Sequence, residues 1–161
     1  MARSALRGFT LIEILVVALV IGLVSGIIVI NLASDEHAAV EREARRLAGA
    51  LEHAAALAQW QSETLGVSAD GSTYRFWRRA GDATWTPIRD EEALAPRALP
   101  SEITVMPTSY AGGPVPLDAI LPFRPSGRNE PYALMLSSTS WSLVVSGDPL
   151  NRVHVATAAS R

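Results

Sequence analysis

Residues 7–32 read RGFTLIEILVVALVIGLVSGIIVINL, and this stretch decides how the rest of the chain is understood. From Phe9 to Leu32 the chain is almost wholly apolar over 24 residues. A helix of that length is about 36 Å long at 1.5 Å per residue, enough for a hydrocarbon layer of ~30 Å. Glu13 interrupts it. An acidic side chain at the bilayer centre costs roughly 2.5–3.5 kcal/mol, more than its position about one turn inside the segment implies. Seventeen Leu, Ile, Val and Phe residues stand against it. At about −0.3 to −0.6 kcal/mol each they contribute roughly −5 to −10 kcal/mol, so insertion wins. An ionisable group in such a segment still calls for a purpose and a partner.

Three readings compete for this segment. A cleaved secretory signal needs a shorter apolar core and a small-x-small cleavage site. Asn31-Leu32-Ala33 fits that site poorly. A plain signal anchor leaves Glu13 accidental. The third is a prepilin-type leader. The run Arg7-Gly8-Phe9-Thr10-Leu11-Ile12-Glu13 resembles the class III signal of type IV pilins and type II secretion pseudopilins. It joins a basic leader, Gly, Phe, a polar residue, two aliphatics and Glu to an apolar helix. The resemblance implies cleavage by a prepilin peptidase between Gly8 and Phe9, then N-methylation of Phe9. It also implies a register role for Glu13, facing the Phe9 amine of a neighbouring subunit in a staggered bundle. In low dielectric such a pair is directional, and breaking it strands a buried charge.

Arg3 and Arg7 precede the segment, and Asp35, Glu36 and Glu41 follow it before any cation. That asymmetry orients the N-terminus to the cytoplasm and the C-terminal domain to the periplasm. Residues 38–61 carry Val40, Ala44, Leu47, Leu51, Ala54 and Ala58 at helical spacing. No proline occurs before Pro87, so one nearly continuous helix from Phe9 to about Ser62 is expected. Beyond Glu63 the pattern changes. Leu65–Ala69 and Thr73–Arg78 flank Asp70-Gly71, a hairpin signal. Further strands are expected over Ile103–Met106, Ile120–Arg124, Tyr132–Ser137, Trp141–Ser146 and Val153–Thr157. The stretch Ala93–Asp118 reads as loop around one of them. The expected fold class is α+β and type IV pilin-like. A long N-terminal helix, membrane-spanning in its first half, packs on a C-terminal antiparallel sheet domain. The expected divisions are a leader over 1–8, a transmembrane and assembly helix over 9–32, its amphipathic continuation over 33–62, and a periplasmic β-rich head over 63–161.

Phe123-Arg124-Pro125-Ser126-Gly127 and the later Trp141-Ser142-Leu143-Val144-Val145-Ser146-Gly147 resemble the H-type minor pseudopilins (GspH) and the related FimT/FimU minor pilins. Taken from the residues alone, the first of these is a strand running into a turn. Ile30 stands where major pilins and pseudopilins usually carry proline, and the acidic calcium loop of the major pseudopilins has no counterpart. Glu13 is present, whereas the K-type cap lacks it. The resemblance therefore implies a minor subunit at or near the tip of the type II secretion pseudopilus, below the topmost one. Its implied partners are other minor and major pseudopilins, the prepilin peptidase and the inner-membrane assembly platform. The alternative is a minor type IV pilin serving pilus biogenesis or DNA uptake.

Nothing in the sequence points to an enzyme, a metal or a cofactor. There is no cysteine, which removes disulfides and thiolate chemistry. His37, His53 and His154 lack ligand spacing; the first two read as solvated helix positions and the third as outward-facing on a strand. Asp90-Glu91-Glu92 reads as a solvated charge run, and the four tryptophans as packing residues. A formal net charge of −2 gives no electrostatic case for nucleic acid. Arg75, Arg78, Arg79, Arg89 and Arg97 are the one basic group that a DNA-binding head would use.

Overall fold

The computed structural model describes residues 11–158, and for 24–35 the backbone alone. The chain divides into two compact units at Asp35 and Glu36. A single helix, α1 (Leu11–Gln61), supplies the described part of the first unit and the opening of the second. In the first, Leu11–Leu23 exposes every large aliphatic side chain. Among the described residues no helix is long and apolar enough to cross a membrane, and the expected span over 9–32 includes residues outside that set.

In the second unit α1 buries one face. Val40, Ala44, Leu47, Ala50, Leu51, Ala54, Ala55, Leu57 and Ala58 belong to one core cluster. Alanine dominates this face. The two central leucines, fully buried, contribute about 1.5–3 kcal/mol each. The helix stops at Ser62, which takes a left-handed conformation (φ 57°). Glu63 N–H then donates to the Ala58 carbonyl at 3.1 Å, closing the end as a Schellman turn does without its usual glycine.

Among the described residues nine strands follow, in two antiparallel sheets. The first holds β1 (Leu65–Ala69), β2 (Thr73–Arg79), β3 (Trp85–Pro87), β4 (Arg97–Ala98) and β6 (Leu121–Phe123), in the order β3-β2-β1-β6 with β4 also on β2. The second holds β5 (Thr104–Tyr110), β7 (Tyr132–Ser137), β8 (Ser142–Gly147) and β9 (Val153–Thr157), in the order β5-β7-β8-β9. A bridge between Gly71 and Val105 joins the sheets. Strands β7 and β8 alternate strictly between buried and half-buried residues, as a sheet with one face on a core must. Central β1 is buried on both faces. On its outer side Gly66 leaves room for Ile120 and Trp85; a Cβ there would lie 2.6 Å from the Ile120 methyl.

The helix lies along the second sheet. Glu36 Oε1 accepts from the Ser140 N–H at 3.1 Å beyond the end of β7, while Glu52 acts electrostatically on Tyr132 at its start. Sixteen helical residues rise about 24 Å, roughly the length of seven or eight strand residues, so the two run together in opposite directions.

Several expectations are met and some are revised. The Asp70-Gly71 hairpin forms, and β7 and β9 have the expected bounds. The strand expected over Ile103–Met106 is longer, because Pro107 sits on an edge strand beside a bulge, where a missing N–H is tolerated. β3 and β4 arise in the stretch read without strands; at three and two residues they are too short to show a period.

Candidate assembly interface

Gly8 and Phe9, the expected cleavage and methylation positions, lie outside the described residues. Glu13 lies inside them, exposed in the first turn of α1 among the exposed aliphatics Leu11–Leu23. The assembly chemistry expected of the N-terminus therefore has one described member, displayed on an apolar helix.

In the head, Phe123–Gly127 is more than a turn. Phe123 is fully buried and packs edge-on against Tyr132, centroids 5.6 Å apart. The next residues fold back, with the Gly127 N–H donating to the Arg124 carbonyl at 3.2 Å. Gly127 has φ +75°, and a Cβ on it would overlap Gln59 of α1. Asn129, 6% exposed, locks the turn: its Oδ1 accepts from the Arg124 N–H at 2.7 Å and its amide donates to Asn151 Oδ1 at 2.6 Å. Asn151 donates in turn to the Gly127 carbonyl at 3.0 Å. The turn is thus held by asparagines and by the helix. It forms one wall of an open cleft of about 390 Å3 lined by Thr64, Arg79, Pro122, Arg124, Pro125 and Ser126. Sequence reading found the turn and missed the cleft, whose walls are 64, 79 and 124. Only the β2-β1-β6 pairing brings them together.

The five arginines expected as a basic group are mostly committed. Arg75 pairs with Asp70 at 3.1 Å and Arg78 with Glu63 at 2.9 Å and Asp90 at 3.4 Å. Arg97 forks onto Glu43 of α1 at 2.7 and 3.1 Å, and the hydrogen bonds it donates to Glu43 raise its already high pKa. Arg79 lies over the Trp85 ring, 5.8 Å from its centroid. Every Lys-or-Arg cation in these pairs is arginine, for the chain contains no lysine. Burial pushes the Asp70 carboxyl up, but the Thr73 hydroxyl and N–H, each at 2.8 Å, and Arg75 outweigh it and hold it below its usual range.

Two histidine expectations need correction. His37 is half-buried, its ring edge-on to Trp141 with centroids 4.4 Å apart. His53 lies 3.2 Å from Glu91. Both are contacts between α1 and distant parts of the head, which no local spacing shows. His154 is exposed on β9, as expected. Glu36 beside His37 is held below its usual pKa by hydrogen bonds from Ser138 and the Ser140 N–H. Tyr132 carries a buried polar atom without a hydrogen bond: its hydroxyl has no hydrogen-bond partner among the described residues, and burial raises its pKa. Among the described residues no three His, Cys, Asp or Glu side chains gather as a metal site would need.

Residues 3–29 match the prokaryotic N-terminal methylation motif. Among solved structures the chain is similar to the minor pseudopilin EpsH of the type II secretion system of Vibrio cholerae. In one EpsH structure the TM-score is 0.61 at 15% identity, over 76% of this chain and 99% of that one. In a second it is 0.58 at 16% identity, over 74% and 94%. The solution structure of GspH from E. coli gives 0.55 at 14% identity, over 78% and 91%. The head and helix therefore have the fold of these minor pseudopilins. No curated protein matches the chain.

Proposed function

We propose that the chain is a minor pseudopilin of the H type, an assembly subunit at or near the tip of a type II secretion pseudopilus. The observation that carries this reading is the methylation motif over 3–29 on a chain whose fold is that of EpsH and GspH. Its work is assembly rather than catalysis. A prepilin peptidase cuts between Gly8 and Phe9 and methylates the Phe9 amine. The helix beginning at Phe9 stays in the inner membrane, N-terminus cytoplasmic and head periplasmic, until the assembly platform passes it to the other minor and major pseudopilins. Glu13 then faces the Phe9 amine of a neighbour. Both charges are costly in an apolar bundle when unpaired, so the pair fixes the axial offset between helices more than it adds net stability.

Co-production with a prepilin peptidase tests the reading. Mass spectrometry of the purified chain is expected to find residues 9–161 with a methylated Phe9. A chain still starting at Met1 would overturn it. Glu13→Ala should leave membrane insertion intact and sharply lower incorporation into the fibre, measured by shearing and sedimentation.

A further inference from the structure

The sheet edges of the head are treated unequally. β3 is three residues long and ends in Pro87; β4 is two residues between Pro96 and Pro100. β6 has Pro122 at its centre. β5 carries Pro107 and a bulge, and the Gly71 backbone already covers it at Val105. Proline, bulges, shortness and cover are the devices by which proteins blunt an edge. β9 has none of them, nor any charged residue within Val153–Thr157. It pairs with β8 alone among the described residues.

The direction of its backbone groups follows from the bonds at its ends. The Ala158 N–H donates to the Ser142 carbonyl at 3.0 Å and the Asp148 N–H to the Arg152 carbonyl at 3.1 Å. With the register Val145↔Val155, alternation turns Arg152, His154, Ala156 and Ala158 toward β8. The N–H and C=O of Val153, Val155 and Thr157 point outward.

We propose that the outer edge of β9 is a strand-docking site that takes an extended, uncharged segment of a different subunit of the fibre. The inference rests on the fibre reading above. Both side-chain faces at the edge suit such a segment. On one, the buried row Pro107-Leu134-Val145 runs out at Val155, which is 38% exposed. On the other, Met106, Met135, Val144 and Ala156 stand in register across all four strands, an apolar row that ends open at β9. An incoming strand with β-branched or aromatic residues extends both rows, whereas a charge facing either row lacks an opposite partner. Arg152, the nearest cation, is already paired with Asp148 at 2.8 Å. A second copy fits poorly. Its remaining edges are blunted, so only β9 is left to meet β9. Antiparallel β9–β9 pairing sets a two-fold axis perpendicular to the sheet, and the Glu36 ends of the two heads, from which the chains lead back to the membrane, then face opposite ways, unsuited to one membrane.

The test uses the full-length chain co-produced with the other pilin-like subunits of its system. Val155→Pro removes an outward donor and leaves the β8 ladder whole; Val155→Thr keeps the donor. Incorporation of Val155→Pro into sheared fibres is expected to fall at least about tenfold while Val155→Thr incorporates normally. A photo-crosslinking residue at 155 is expected to give an adduct whose peptide map lies on a strand of a co-produced subunit, and one at Thr86 none. This second measurement decides the matter should Val155→Pro fail to fold. Normal incorporation of a folded Val155→Pro, or an adduct with the same chain only, would overturn the edge inference and leave the fibre reading standing. A wild-type chain that is never cut or never enters the fibre would overturn both.

Discussion

The two stretches of α1 on either side of Asp35 use the same residue classes to opposite ends. Leu11–Leu23 is built of Leu, Ile and Val with exposures from 49% to 83%. In Val40–Ala58 the buried residues are 0–9% exposed, and more than half of them are alanine. Hydrophobicity alone does not bury a helix; the facing surface must be able to come close. The second stretch presents a narrow, small-residue stripe that sheets can cover, with charges on the remaining face. Apart from Glu13 the first is apolar all round, which no one-sided sheet can satisfy and which suits lipid or other helices.

The largest effect should come from breaking the second stretch alone. Leu51→Ala leaves a cavity at a fully buried position and should cost about 2–5 kcal/mol, seen as a lower unfolding midpoint of the detergent-solubilised chain. Leu19→Ala, 59% exposed, should leave that midpoint where it is. Next is Glu43→Ala, which strands Arg97 beside the helix; about 1–3 kcal/mol is expected by chemical denaturation. Acid offers a finer probe. Asp70 has a folded pKa below its unfolded one, so its contribution is full above about pH 4 and is lost as pH falls through the folded value. Asp70→Asn should flatten that part of the stability profile and remove about 1 kcal/mol near neutrality. The smallest effect is Tyr132→Phe. It deletes a buried hydroxyl that has no partner among the described residues, so the midpoint should hold or rise slightly, by less than about 1 kcal/mol.

What was legible in the sequence was what repeats locally. The 3.6-residue spacing of Val40, Ala44, Leu47, Leu51, Ala54 and Ala58 located the buried helix face, and the strand-forming residues of Tyr132–Ser137 located β7. Asp70-Gly71 announced its hairpin. The extension of β5 past Pro107 was not legible, because the cost of a proline depends on edge position, a property of the sheet and not of the segment. His37 on Trp141, His53 on Glu91 and the cleft between Arg79 and Arg124 are meetings of residues far apart in sequence. Nothing near them in the chain encodes the partner. The Phe123–Gly127 turn lies between these cases: its bend was readable, but its asparagine lock at 129 and 151 was not.

The all-arginine character of the head's Lys-or-Arg ion pairs has a consequence on the alkaline side. A lysine loses its proton in the range where strong base unfolds many proteins, whereas guanidinium stays charged beyond it. All three tyrosines, Tyr74, Tyr110 and Tyr132, are pushed upward chiefly by burial, so they resist ionising in the folded chain. The arginine bridges should outlast any rise in pH short of about 10, above which the unfolded tyrosines begin to ionise and draw the equilibrium away from the native head.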